Sequence, residues 1–276
     1  MLLPFVMVSF AANSLITRHV VGTRLLDAGL LTSVRFLAGA VALALLAISL
    51  RERPRVSRGN WLPALWLGVY AVCISYGYQH IGAAAGTFVF YATVQATLAL
   101  YDMARGNPVP RTRLVGALVA LAGLAVLAAS SVKTVTTLGV LLLAATGAAW
   151  GLYTAAGRGV VDPRVASTGN FLALAAVLVV PTAVLAGSDV TVTGRGVAWG
   201  AVMGAGTTAF AYVAWYACQR TLSATAAGTV QLVIPVLTAI GAVVLLGEPL
   251  TVELVIAGAL VAAGMWLSGR RPAAER

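Results

Sequence analysis

The chain has 276 residues, of which 60% are hydrophobic and only 9% charged, with a formal net charge of +10. A soluble domain carries roughly 25% charged residues, so a water-covered globule is excluded. The positive balance does not signal nucleic-acid binding, because the placement of the arginines explains it in another way.

Ten solidly apolar stretches follow one another, at 2–20, 28–50, 61–80, 83–103, 112–131, 137–157, 165–187, 196–218, 223–246 and 251–269. Each suffices to cross a hydrocarbon core of about 30 Å as a helix. They are rich in Leu and Ala and do not alternate, which argues against barrel strands. The expected fold is an all-α integral membrane protein of ten transmembrane helices. Pro4 interrupts the first stretch and Arg18 with His19 closes it; with no basic segment before it, it reads as a retained helix, not a cleaved signal.

If the N-terminus is cytoplasmic, Arg51, Arg53, Arg55 and Arg58 share one inner loop, and Arg105, Arg111 and Arg113 the next. Thirteen basic residues then fall inside, while Arg18, Arg24, Lys133 and Arg195 fall outside and Arg35 lies within the second stretch. This positive-inside bias places both termini in the cytoplasm, as expected of a multi-pass protein of a bacterial inner membrane. Cys73 and Cys218 fall inside apolar stretches and read as packing residues; no disulfide, metal or cofactor motif is visible.

Two words recur at one offset. AAGT stands at Ala84–Thr87 and Ala226–Thr229, and GALVA at Gly116–Ala120 and Gly258–Ala262, both 142 residues apart. A gapless double match points to duplication, with a first five-helix repeat over 1–133 and a second over 134–276. Five is odd, so the second copy enters the membrane inverted. Inverted repeats are typical of secondary transporters, which hold solute near the midplane and work by alternating access.

The polar residues are not spread evenly. Stretches five and ten are almost purely Ala, Gly, Leu and Val, with small-xxx-small spacing that suits helix packing within one chain or, alternatively, in a homodimer. Without such a contact the chain is a monomer. Elsewhere deep polar and aromatic residues share helix faces: Asn13 with Thr17, Tyr76 with His80, Tyr91 with Gln95, Trp150 with Tyr153, Tyr212 with Trp215, and Gln231 with Pro235. Amides can hydrogen-bond a solute's amino or carboxyl group, and aromatic faces can stack on a ring or hold an ammonium. Asn13, Tyr76, Tyr91, Gln95, Trp150, Tyr153, Tyr212, Trp215 and Gln231 are therefore the substrate-binding candidates of an expected central cavity. His80, Arg35 and Pro235 are gating or secondary candidates. Trp61, Trp66, Trp199 and Trp266, near stretch ends, read as an interfacial belt. Arg35 could attract a substrate carboxylate, but the preferred reading is a residue that snorkels outward or ties helix ends; Asp102 reads as a partner of Arg105 or Arg111, and Glu248 as a turn cap.

The order of these features resembles the drug/metabolite transporter superfamily, in particular its ten-helix EamA-type branch. The words that carry the resemblance are VRFLAGAVALALL around Arg35, AAWGLYTAAGR, AFAYVAWYAC, and Pro235 followed by LLGEPL. The first half departs from the pattern at Phe10–Asn13, Thr93–Gln95 and Arg105–Pro108. More narrowly, AFAYVAW is similar to the bacterial aromatic amino acid exporters. The resemblance implies an exporter or facilitator of small organic metabolites, amino acids including aromatic ones among them, or alternatively of drugs and quaternary ammonium compounds. No Walker loop or hydrolase motif appears, and no acidic residue lies mid-span, where ion-coupled carriers usually need one. A channel would need a filter or charge ring, and a lipid enzyme convergent Asp, Glu, His or Ser; neither is visible. The expected partners are a small-molecule substrate and the lipid bilayer.

Overall fold

A computed structural model describes residues 2–80, 83–107, 109–129, 136–185, 190–246 and 251–269. Their helices are α1 (Leu2–Gly22), α2 (Ala28–Ser49), α3 (Trp61–His80), α4 (Ala83–Ala104), α5 (Arg111–Ala129), α6 (Thr137–Gly157), α7 (Pro163–Leu185), α8 (Gly194–Val202), α9 (Ala211–Gln219), α10 (Ala224–Gln231), α11 (Val233–Leu246) and α12 (Val252–Gly269). A π-helical segment, Met203–Phe210, joins α8 to α9. Among the described residues the only extended pairing is an isolated antiparallel bridge between Leu26 and Val192. Five helical runs are long and apolar enough to cross a membrane by length and composition: Leu2–Gly22, Ala28–Ser49, Thr137–Gly157, Gly194–Gln219 and Ala224–Leu245. A shorter apolar helix covers Val255–Leu267. The chain is thus an all-helical membrane protein. Glu248, Lys133 and the basic tail lie outside the described residues.

The helix starts follow from local chemistry. The first turn of a helix has unpaired N–H groups, which Asp, Ser and Thr side chains satisfy. The Asp27 carboxylate accepts from Gly29 N at 2.8 Å and opens α2. Asp162 accepts from Arg164 N at 2.9 Å, with Pro163 at the first helical position of α7, where its missing N–H costs nothing. Thr193 accepts from Gly196 N at 3.0 Å to open α8, and Ser223 accepts from Ala226 N at 3.1 Å to open α10. Pro235 cannot donate to the carbonyl of Gln231, and its ring crowds that carbonyl. The helical run accordingly breaks at Leu232, between α10 and α11.

Two compact units result, each drawing on both halves of the sequence. One is built from Met1–Tyr76 and Ala156–Arg220, the other from Gly77–Ala155 and Thr221–Arg276. In the first, α2 packs on α7 and on the π segment, and α1 packs on α9. Glycines allow the close approach: a Cβ on Gly39 would meet Phe171 Cε1 at 2.7 Å, and one on Gly204 would run into the backbone of Arg35. In the second, α5 lies along α12 and α4 packs on both α5 and α10.

In that second unit, the helices bearing the two AAGT copies pack on each other, as do those bearing the two GALVA copies. The first GALVA copy forms a tight seam, since a Cβ on Gly264 would meet Ala120 N at 2.7 Å. The second copy is approached as closely from α5, since a Cβ on Gly123 would meet Leu260 Cβ at 2.8 Å, although its own Gly258 would find only Val236 Cγ1 at an ordinary 3.6 Å.

Candidate functional site

The sequence-derived candidates fall into both units. In the unit of Gly77–Ala155 and Thr221–Arg276, Gly147 and Gly151 lie one turn apart on α6 and let it rest against α4. Cβ atoms there would meet Thr93 Cβ at 2.7 Å and Thr97 Cβ at 2.9 Å. Trp150 and Tyr153, on the same stretch of α6, are 3% and 0% exposed, with rings stacked at 5.5 Å between centroids. The Trp150 indole Nε1–H donates to Gln231 Oε1 at 2.5 Å, and Gln231 Nε2 donates to Ala227 O at 2.9 Å. The Gln231 amide is thereby fixed in orientation, at zero exposure.

A second amide stands nearby in the same unit. Gln95 on α4 donates through Nε2 to Thr229 Oγ1 at 3.3 Å. Its Oε1 is buried and has no partner among the described residues. A buried acceptor without a partner costs about 1–3 kcal/mol, so this oxygen is the more readily satisfied by a donor on a bound molecule. The second AAGT copy explains how Gln95 fits. Gly228 leaves room for its amide, since a Cβ there would lie 3.2 Å from Gln95 Cδ, and Thr229 supplies its partner. Tyr91, one turn before Gln95, is 5% exposed and packs on Phe90.

At the N-terminus of α10 two charged side chains of neighbouring helices converge. Asp102 Oδ2 accepts from Thr225 N at 2.9 Å and Thr225 Oγ1 at 2.8 Å. Arg113 Nη1 donates to Ser223 Oγ at 2.7 Å. A carboxylate suits the positive end of a helix, so Asp102 ties the end of α4 to the start of the AAGT helix, a role its sequence neighbours did not indicate. His80, half-buried at the end of α3, accepts at its backbone oxygen from Thr136 Oγ1 at 2.8 Å.

The other unit holds Asn13, Arg35, Tyr76, Tyr212 and Trp215. Asn13 Nδ2 donates to Thr208 Oγ1 at 3.1 Å, pinning α1 to the π segment. Phe10 presents an edge-on contact to both Tyr212 and Trp215, at 5.5 and 6.0 Å between centroids. Tyr76 is half-buried, and its hydroxyl has no partner among the described residues. Arg35 corrects the sequence reading. It does not snorkel: it is 3% exposed and donates through Nη2 to Tyr70 Oη at 3.3 Å and Tyr212 Oη at 3.2 Å.

The belt residues separate from the deep ones, with Trp61, Trp199 and Trp266 at 51%, 39% and 61% exposure against 3% for Trp150 and 0% for Trp215. Sequence reading missed Tyr70, Thr208 and Thr229, the partners of Arg35, Asn13 and Gln95. A hydroxyl in an apolar helix carries no periodic signal; only Thr229, inside a repeated word, had one.

Comparison with known proteins places this geometry. Residues 137–270 match the model of the EamA-like transporter family. An uncharacterized protein of Pseudomonas aeruginosa is 38% identical over 265 residues, covering 95% of this chain and 91% of that protein. A crystal structure of a protein superposes with a TM-score of 0.82 at 20% identity, over 97% of this chain and 94% of the other, a likeness of fold alone. The chain carries an EamA-like transporter family domain over residues 137–270. It is a multi-pass membrane protein, and the matched family indicates a transporter of small molecules rather than an enzyme.

Proposed function

We propose that the protein is a secondary transporter, exporter or facilitator, of small organic metabolites, with amino acids that bear an aromatic or apolar side chain as its solutes. The observation that carries this reading is the buried group on α4, α6 and α10. A fixed amide (Gln231) held by an indole, a second amide (Gln95) with an open carbonyl oxygen and the aromatic rings of Trp150, Tyr153 and Tyr91 belong to one unit. Amides suit the polar end of a zwitterion and ring faces suit its side chain. Alternating access between two inverted five-helix repeats is part of the proposal, and rests on the duplicated words. The pairing of AAGT helix with AAGT helix, and of GALVA helix with GALVA helix, supports it.

The test is counterflow. Proteoliposomes loaded with unlabelled phenylalanine are expected to take up labelled phenylalanine saturably. Uptake should persist after the pH gradient and membrane potential are collapsed, because no carboxylate sits mid-span to couple an ion. Uptake that rises linearly with concentration would identify a pore, and uptake abolished by an uncoupler would overturn the uncoupled mechanism.

We also propose that ten spanning helices leave both termini in the cytoplasm of a bacterial inner membrane, a reading supported by the arginine distribution. A cysteine placed at Arg55 should react with an impermeant maleimide in inverted vesicles and not in intact cells. The opposite labelling would invert the topology.

A further inference from the structure

Among the described residues, Arg35 has no partner of opposite charge. It lies eight residues beyond Asp27, about 12 Å along α2 at 1.5 Å per residue. It is 3% exposed in a helix apolar enough to span a membrane. A charge buried in this way is costly unless it is paired. Among the described residues its partners are neutral: the hydroxyls of Tyr70 and Tyr212, and the ring faces of Phe36 and Tyr70 at 4.7 and 5.6 Å from the guanidinium carbon. Asp27, the acidic residue nearest in sequence, is engaged in capping α2. The Nε–H of Arg35 is buried and donates to nothing among the described residues. A guanidinium offers a planar fork of donors that matches a carboxylate. Here Nε is open while Nη2 is occupied by two phenols, which are weaker acceptors than an anion. The backbone of Arg35 is also clamped, because Gly204 of the π segment lies directly against it. Departures from α-helical geometry of this kind recur at functional sites.

We propose that Arg35 is a carboxylate-binding group within its own unit, Met1–Tyr76 with Ala156–Arg220, distinct from the amide and ring group of the other unit, with the Tyr70 and Tyr212 hydroxyls occupying its Nη2 donors when no anion is bound. This rests on the transport reading and narrows its substrates to organic carboxylates, with aromatic faces beside the charge to favour an aromatic acid. Cationic drugs and simple amines are excluded as solutes of this site. The two phenols compete with the anion, so removing one hydroxyl should strengthen carboxylate binding. A merely structural arginine would give no such gain.

The test uses purified full-length protein in detergent. Binding of phenylacetate and phenylalanine is compared with that of phenylalaninamide and phenethylamine by calorimetry and by thermal stabilisation. Carboxylates should bind the unaltered protein at least about tenfold more tightly than their amide or amine counterparts, the scale of a hydrogen-bonded ion pair. Tyr212→Phe should tighten carboxylate binding by about threefold or more, and Arg35→Lys should weaken it while the amine is unaffected. Equal binding of carboxylates and amines, no carboxylate binding at all, or unchanged or weaker binding in Tyr212→Phe would each overturn the proposal. A protein that binds carboxylates in this pattern yet shows no counterflow would overturn the transport reading alone. One that shows counterflow of amines would overturn this inference alone.

Discussion

Gly204→Ala is expected to lower the thermal unfolding midpoint sharply, whereas Gly206→Ala, two residues away in the same π segment, should leave it almost unchanged. A methyl on Gly204 would lie 2.9 Å from the carbonyl carbon of Arg35 and 3.0 Å from its Cα, and closer still to its carbonyl oxygen. These are backbone atoms of a neighbouring helix, so no rotamer change relieves the contact. Either α2 or the π segment must move, at a cost of about 1–3 kcal/mol or more. A methyl on Gly206 meets nothing within 4 Å, and substitutions away from packed features usually stay within about 0.5 kcal/mol. The two variants share residue type and helix, so intrinsic propensity cancels between them. Equal midpoints, read by tryptophan fluorescence of detergent-solubilised protein, would show that the α2 contact is not tight.

The second large effect concerns Trp150. Its near-complete burial means that Trp150→Ala should impair folding as well as transport. Truncating a buried aromatic costs about 3–5 kcal/mol, and stranding Gln231 Oε1 adds about 1–3 kcal/mol. A transport defect in that variant alone therefore says little about the solute. Trp150→Phe keeps most of the ring and removes the indole donor, and Gln231→Leu removes the acceptor. The double variant should be more stable than Trp150→Phe alone, because no buried polar atom of this pair is left unmatched. Its counterflow should nevertheless fall by about fivefold or more, the equivalent of a lost contact of on the order of 1 kcal/mol. A stable double variant with full counterflow would remove Trp150 and Gln231 from the site.

What the sequence disclosed was the periodic and the coarse. Runs of Leu and Ala declared helices, and the spacing of Gln95 to Tyr91 and of Trp150 to Tyr153 placed candidate pairs on common faces. The break at Leu232 was not foreseen: the sequence reading ran one stretch through 223–246, although a missing N–H at Pro235 acts within one turn. What stayed hidden was pairwise and long-range. Nothing near Arg35 in sequence points to Tyr212, 177 residues on. Nothing near Asp102 points to the helix start at Thr225, 123 residues on. Arg35 was read first as a residue that reaches outward or ties helix ends, with a carboxylate as the alternative, because its charge was weighed against lipid and two distant phenols were not in view.

The π segment has a consequence for how the aromatic residues beyond it are aimed. An α-helix turns about 100° per residue, and a π turn spends extra residues on each revolution. Tyr212, Trp215 and Tyr216 thus owe their azimuth to the eight residues Met203–Phe210 before them. The spacing of this segment is therefore constrained as well as its residue types: Gly206 can be exchanged for another small residue and Gly204 cannot, and an inserted residue would swing all three rings about the helix axis.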